Sequence, residues 1–355
     1  MVEFFRRKRT IPYKMFDRAH YGLEAKNARI LERIYHKGQA LAWDGKEVLE
    51  SLIAEHGTPQ IDDDKKEALS RIFGIIMWGE LAAWRISAEL ADELEPLEAK
   101  MAATSQAFDE ARHFYVMHDY LAAANALPKK LEWAPRALLE GVMNADHLTK
   151  KLMGMQLMVE PIALTLFHFV KKMNVEPVLT HLLPYYERDE ARHVALGVQY
   201  LPAMLSQMSV AERLSLFAHQ FRLLTYEVWS NSAIAKDMLV LGVDPRELMQ
   251  VGQGKQTMAL NMVFSSMNME SDLGTRVLNR YASSLVELTL PDGYENSRLA
   301  DRLKRSWNVL RHGAPVELVP LTPEISEADT PLIYKDKAPR KPRRKSAKKK
   351  PTLVH

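Results

Sequence analysis

The sequence predicts an all-α chain organised around a four-helix bundle, and three observations carry that reading. Apolar residues recur at helical intervals through most of the 355 residues, and no alternating strand pattern of useful length stands out. Leu152 to Val170 is almost wholly apolar, but Gln156, Glu160 and His168 interrupt it on roughly one face. That pattern fits a buried bundle helix with a polar stripe better than a membrane span, where a central glutamate would be costly. Finally, Asp109-Glu110-Ala111-Arg112-His113 returns as Asp189-Glu190-Ala191-Arg192-His193, and each copy follows another glutamate by 30 residues (80 to 110, 160 to 190). That interval suffices for a helix to its end, a short turn, and a return to the same depth at about 1.5 Å per residue.

In chain order, Tyr21 to Leu41 reads as a helix ended by Trp43-Asp44-Gly45. Asp62 to Leu94 reads as a long helix carrying Glu80, with Asp62 to Asp64 favourable near its positive end. Glu98 to Ala124 carries Glu110 and His113, and Asn125 to Pro135 is a connector. Arg136 to Lys172 carries Glu160, with breaks expected near Gly154 and Pro161. Pro177 to Leu201 carries Glu190 and His193, with a kink expected at Pro184 and an end at Pro202. Val210 to Leu241, Asp244 to Met267 and Leu273 to His312 read as further helices, the last interrupted at Pro291-Asp292-Gly293. These segments group as an N-terminal helical stretch (1–61), the bundle (62–201), additional helices that cover the bundle or form a homodimer interface (202–312), and a Pro-rich basic tail (313–355).

Composition narrows the class. The chain is 47% hydrophobic, which suits a globular protein with a substantial core. It has no cysteine, which rules out disulfides and thiolate metal sites. Its first residues lack the apolar stretch of a secretory signal, and a cytoplasmic location is expected. The net charge of +3 conceals a tail from Lys335 to Lys350 with ten Lys/Arg and one Asp, a local +9 that leaves −6 for the rest. With no aromatic residue after Tyr334, this tail lacks stacking platforms, so no specific nucleic-acid partner is expected. Disorder is expected for it instead.

The duplicated motif carries the chemistry. Residues three apart on a helix share a face, so Glu110 with His113, and Glu190 with His193, can each approach a metal. With Glu80 and Glu160 they make four carboxylates and two imidazoles, a ligand set for two metal ions in a helical bundle. Oxygen ligands with one imidazole per metal suit iron or manganese. Asp109 and Asp189 each point away from their own motif, and from there each can reach the histidine of the other motif. Arg112 and Arg192 lie three residues beyond these aspartates and can hold them ionised.

A Glu, thirty residues, then Asp-Glu-x-Arg-His, all given twice, resembles the carboxylate-bridged non-haem di-iron proteins of the ferritin-like superfamily. Bacterial multicomponent hydroxylases and arylamine N-oxygenases are nearest in wording. The resemblance covers roughly residues 62–201. It implies that Glu80, Glu110, His113, Glu160, Glu190 and His193 bind two iron ions, or a manganese–iron pair, and that Glu110 and Glu190 bridge them. It also implies O2 as co-substrate. The chain departs from the family's patterns in places. Pro161 directly follows Glu160, which means either a helix distorted at the metal or a displaced ligand. The hydroxylases' oxygen-handling threonine falls at Leu164 here, and Thr165 would reach the site only through a one-residue bulge after Pro161.

Helical spacing from the ligands suggests an apolar pocket of Met77, Trp84, Ala107, Phe114, Met117, Leu157, Ala163, Leu164 and Gly197. Glu187 and Glu227 offer a further ligand or a proton route, but salt bridges are the reading favoured for both. The function these readings favour is an O2-dependent di-iron oxygenase or oxidase acting on a small apolar organic substrate by hydroxylation or N-oxygenation. Its electrons would come from a separate reductase or ferredoxin, since no Gly-rich nucleotide fingerprint is present. The alternatives are a metal-handling or peroxide-scavenging protein and a non-catalytic helical scaffold.

Overall fold

The computed structural model describes residues 25–267, 273–292 and 296–321. Every regular element among the described residues is helical. The described residues belong to one compact unit. Residues 322–355 of the Pro-rich basic tail, and the start of the first expected helix at Tyr21, lie outside the described residues.

Helix α1 (Ala25–Ala40) is followed by α2 (Gly45–His56), which sequence patterning missed. The Asp44 side chain accepts from the Glu47 backbone N–H, so Trp43-Asp44-Gly45 starts a helix as well as closing one. Then come α3 (Asp63–Glu93) and α4 (Leu97–Ala123), close to their expected bounds. The segment expected from Arg136, with breaks near Gly154 and Pro161, is α5 (Trp133–Met143), α6 (Leu148–Gly154), a π-helical turn (Met155–Val159) and α7 (Glu160–Met173). The change near Gly154 is present, a further break falls at residues 144–147, and the distortion precedes Pro161 rather than following it. A proline ring crowds the carbonyl four residues earlier, here Leu157, and cannot bond to it. The widened turn Met155–Val159 contains that carbonyl.

Helix α8 (Pro177–Gln207) runs through Pro184 and past Pro202. The last helical residue expected, Leu201, is therefore six residues early on a helix held by burial on both sides of Pro202, with Leu201 and Leu205 in the core. Helices α9 (Val210–Ala233), α10 (Ala235–Val240), α11 (Pro245–Ser266), α12 (Leu273–Thr289) and α13 (Leu299–His312) complete the chain. Residues 313–321 have no regular structure, but a Cβ at Gly254 of α11 would lie 2.2 Å from the Glu317 carbonyl, so this strip runs directly over that glycine.

Helix α3 packs along α4, α7 along α8, and α4 against α8. Helices α1 and α2 lie on α4 and α8, while α11 lies on α7 and α8 and α5 on α9. Their apolar faces meet in a core that includes Ile86, Leu90, Leu152, Leu157, Val194 and Leu201. One helical run among the described residues, Leu148–Met173, is long and apolar enough to cross a membrane, and 78% of its most apolar window is buried within the protein.

Candidate metal centre

The turn positions explain how the ligands meet. Glu80 lies 13 residues before the end of α3 at Glu93, and Glu110 lies 13 after the start of α4 at Leu97. Glu160 lies 13 before Met173 and Glu190 lies 13 after Pro177. Both hairpins therefore return their second carboxylate to the depth of the first. All six predicted ligands are buried, from 0% exposed for Glu110 and His113 to 6% for Glu80.

They fall into two overlapping groups. Glu80, Glu110, His113 and Glu190 offer ligand atoms within 4.8 Å of one another, and so do Glu110, Glu160, Glu190 and His193. Glu110 and Glu190 belong to both. The His113 Nδ1 atom lies 3.1 Å from Glu190 and 3.6 Å from both Glu80 and Glu110. The His193 Nδ1 atom lies 3.1 Å from both Glu110 and Glu190.

Several of these atoms lack what burial normally demands. Glu110 Oε2 and Glu160 Oε2 are buried without a hydrogen-bond partner, and His113 Nδ1 and Glu190 Oε1, although 3.1 Å apart, form no well-aligned hydrogen bond. Native interiors seldom leave such groups unmet, and a bound cation would satisfy them together. The cluster can hold metal ions, and an all-oxygen and imidazole donor set fits iron or manganese. Without metal the charges must settle among themselves. Burial, with neighbouring carboxylates, pushes Glu80 and Glu160 well above the usual carboxylate range. Burial also opposes ionisation of Glu110, but His193 and His113 outweigh it and hold that carboxyl low. Burial disfavours the charged form of both histidines, and the surrounding carboxylates reverse this and raise them well above their ordinary value. Metal binding would displace those protons.

Behind the ligands lies a layer of ion pairs crossing between α4 and α8. His113 Nε2 is 3.2 Å from Asp189, and His193 Nε2 is 3.4 Å from Asp109, so each motif orients the other's histidine. Arg112 donates to Asp109 at 2.5 Å and to Asp189 at 2.8 Å. Arg192 reaches Asp109 at 2.7 Å and Asp189 at 2.9 Å. Burial disfavours the Asp189 carboxylate, but His113 and Arg192 override it and hold its carboxyl well below the ordinary value.

Three neighbours, Trp43, Tyr186 and Gln106, were not anticipated from the sequence, whereas Gln156 belongs to the polar stripe expected on its helix. Trp43 Nε1 donates to Asp189 at 2.7 Å. The Tyr186 ring stacks on His113 at 4.3 Å between centroids, and its hydroxyl donates to the His113 carbonyl at 2.7 Å. Gln106 donates to Glu110 at 3.0 Å and to Glu160 at 2.8 Å, and Gln156 donates to Gln106 at 3.3 Å. Gln106 and Tyr186 each sit one turn before a ligand glutamate, a spacing visible in sequence. Trp43 carries no such signal, because it arrives from the link between α1 and α2.

The cavity beside the cluster differs from the expected pocket. Its volume is about 90 Å³, and Glu80, Glu160 and Glu190 form part of its wall. The rest is mainly apolar, with Ile72, Ile76, Leu138, Leu166 and Met238 among the lining. Of the nine residues expected to form the pocket, Ala163 alone lines it. Met77, Met117, Leu157 and Leu164 are core residues, Trp84 is 41% exposed, and Ala107 and Phe114 are half-buried elsewhere. Gly197 faces Gln156, where a Cβ would lie 2.6 Å from the Gln156 Cβ. The spacing argument took residues one turn from the ligands on all four ligand-bearing helices, whereas the cavity opens on the side where α3 and α7 face α5, α9 and α10. Thr165 gives its hydroxyl to the Pro161 carbonyl at 2.7 Å, because the bulge precedes Pro161 and does not turn it inward. Glu187 does pair, with Lys171 at 2.7 Å, but Glu227 instead accepts from the Gln256 amide. The chain matches no protein-family model, and comparison with curated proteins gives no significant match.

Proposed function

We propose that this chain is an O2-dependent, ferritin-like di-iron oxygenase or oxidase that acts on a small, largely apolar organic molecule. The observation supporting it above others is the shared wall: three carboxylates of the metal-competent cluster face a largely apolar chamber. Helices α3, α4, α7 and α8 would form the four-helix core of that architecture, with Glu110 and Glu190 between the two metal positions. Two iron ions held there, or a manganese–iron pair, would supply O2 activation.

The chain's own residues would do the remainder. Glu80, Glu160 and the two histidines close the ligand set at either side. Asp189 and Asp109 fix the imidazole orientation, and the arginines keep those aspartates charged. The apolar wall would orient the substrate and exclude water from the reacting face. Reducing equivalents would come from a separate reductase or ferredoxin, and the cytoplasm is the expected compartment.

The test is elemental analysis of protein expressed with iron and manganese supplied, beside Glu110→Ala, followed by O2-consumption screens with apolar substrates. About two ions per chain, lost in the variant, with substrate-dependent O2 uptake, is the expected result. Metal at that stoichiometry with rapid ferrous oxidation but no substrate dependence would favour metal handling. No bound transition metal in either protein would remove the oxygenase reading.

A further inference from the structure

The chamber wall carries polar side chains from two sources among the described residues: the carboxylates of the metal cluster, and Glu227, Ser230 and Asn231 of α9. Spacings of three and four put the second set on one helix face. Glu227 is 3% exposed, and Ser230 and Asn231 are 6% exposed each. Gln256 of α11 lies 3.0 Å from both Glu227 oxygens and 3.1 Å from the Met158 carbonyl in the π-helical turn. That amide is the single side-chain partner of the Glu227 carboxyl among the described residues. Asn231 donates its amide to the Glu227 backbone carbonyl at 2.9 Å. Three buried polar side chains on one face of α9 thus line an otherwise largely apolar chamber, and of the Glu227 carboxyl's bonds only those from one neutral amide are made.

We propose that Glu227, Ser230 and Asn231 form a polar anchor that selects molecules with one hydroxyl or amino group on an apolar body, and rejects carboxylates and plain hydrocarbons. This rests on the chamber being the substrate site. A plain hydrocarbon offers the three polar side chains no new bond, and sites built to bond a polar group discriminate strongly against analogues that lack it. A carboxylate would enter a wall that contains acids and no Lys, Arg or His among its described residues. Burial also pushes the Glu227 carboxyl up to about 8. Near neutral pH it can therefore donate to an alcohol oxygen, or pass its proton to an amine and pair with the ammonium formed.

The test is calorimetric binding to the full chain, metal-free and iron-loaded, of four matched probes: naphthylmethanol, naphthylmethylamine, naphthoate and methylnaphthalene. The alcohol and amine should bind about ten-fold or more tightly than the other two. Glu227→Leu should abolish that preference and leave methylnaphthalene bound at least as well. Equal binding of all four, preference for naphthoate, no binding of any probe, or a preference that survives Glu227→Leu would overturn the proposal. The probe series on the unmodified protein decides the matter even where the variant fails to fold. A protein that holds no metal but shows the preference would keep the anchor and lose the oxygenase reading.

Discussion

Gln106 gives its amide to one oxygen of Glu110 and one of Glu160, and the other oxygen of each is left facing the cluster. It thereby fixes two ligands on different helices with one side chain. Gln106→Leu should lower iron affinity by about 10- to 100-fold, as loss of a ligand's hydrogen-bond partner does. Anaerobic ferrous titration checks this, and an unchanged affinity would contradict it. Glu227 supports a prediction about stability. Its carboxyl is raised from 4.5 to about 8 by burial, so the fold favours the protonated form. The stability this contributes is fully present below the unfolded value and is lost as pH rises through about 8. Glu227→Gln carries no titrating proton, so its stability relative to the parent should rise between about pH 5 and about pH 9, by at most about 5 kcal/mol. Urea unfolding at the two pH values measures it, and a gap that stays constant would show that Glu227 is not held neutral. At this scale the ligands were legible because Glu-x-x-His is a same-face pattern that needs no tertiary knowledge. Trp43, distant in sequence from Asp189, was not.

The π-helical turn before Glu160 is the element that departs most from a regular reading. It meets α8 where Gly197 leaves room for Gln156. Gly197→Ala should force this contact apart and cost about 1–3 kcal/mol, as overpacking does. Gly79, on the chamber side of α3, has open space where a Cβ would stand. Gly79→Ala should therefore stabilise by about 1 kcal/mol through helix propensity. Denaturant melts of the pair compare the two directions; equal effects would mean that the close approach at Gly197 is not what constrains it. The long helices α3 and α4 were readable within a residue or two because their apolar periodicity is uninterrupted. Helix α2 is short, and its start at Asp44 coincides with the turn that ends α1, so one signal served two boundaries. Prolines misled in the opposite sense: Pro202 looks like a stop, but packing on both flanks carries α8 past it.

Across the whole molecule, six buried ligands and four buried Asp and Arg side chains concentrate charge that the core must neutralise. Metal that binds the folded chain alone should raise the melting temperature by several degrees when ferrous iron is in large excess. Glu110→Ala, which takes a carboxylate from both ligand groups, should abolish that shift. Differential scanning calorimetry under anaerobic conditions reads both, and an equal shift in the variant would place the stabilising ion elsewhere. The helical class, the hairpin depth and the six Glu and His side chains that meet in the buried cluster were legible in the sequence alone, because helix periodicity and a repeated spacing are local quantities. The chamber and its Glu227 anchor were decided only by the tertiary structure. They arise where α3 and α7 face α9 and α10, and no spacing within one helix reports which distant helix will cover its other face.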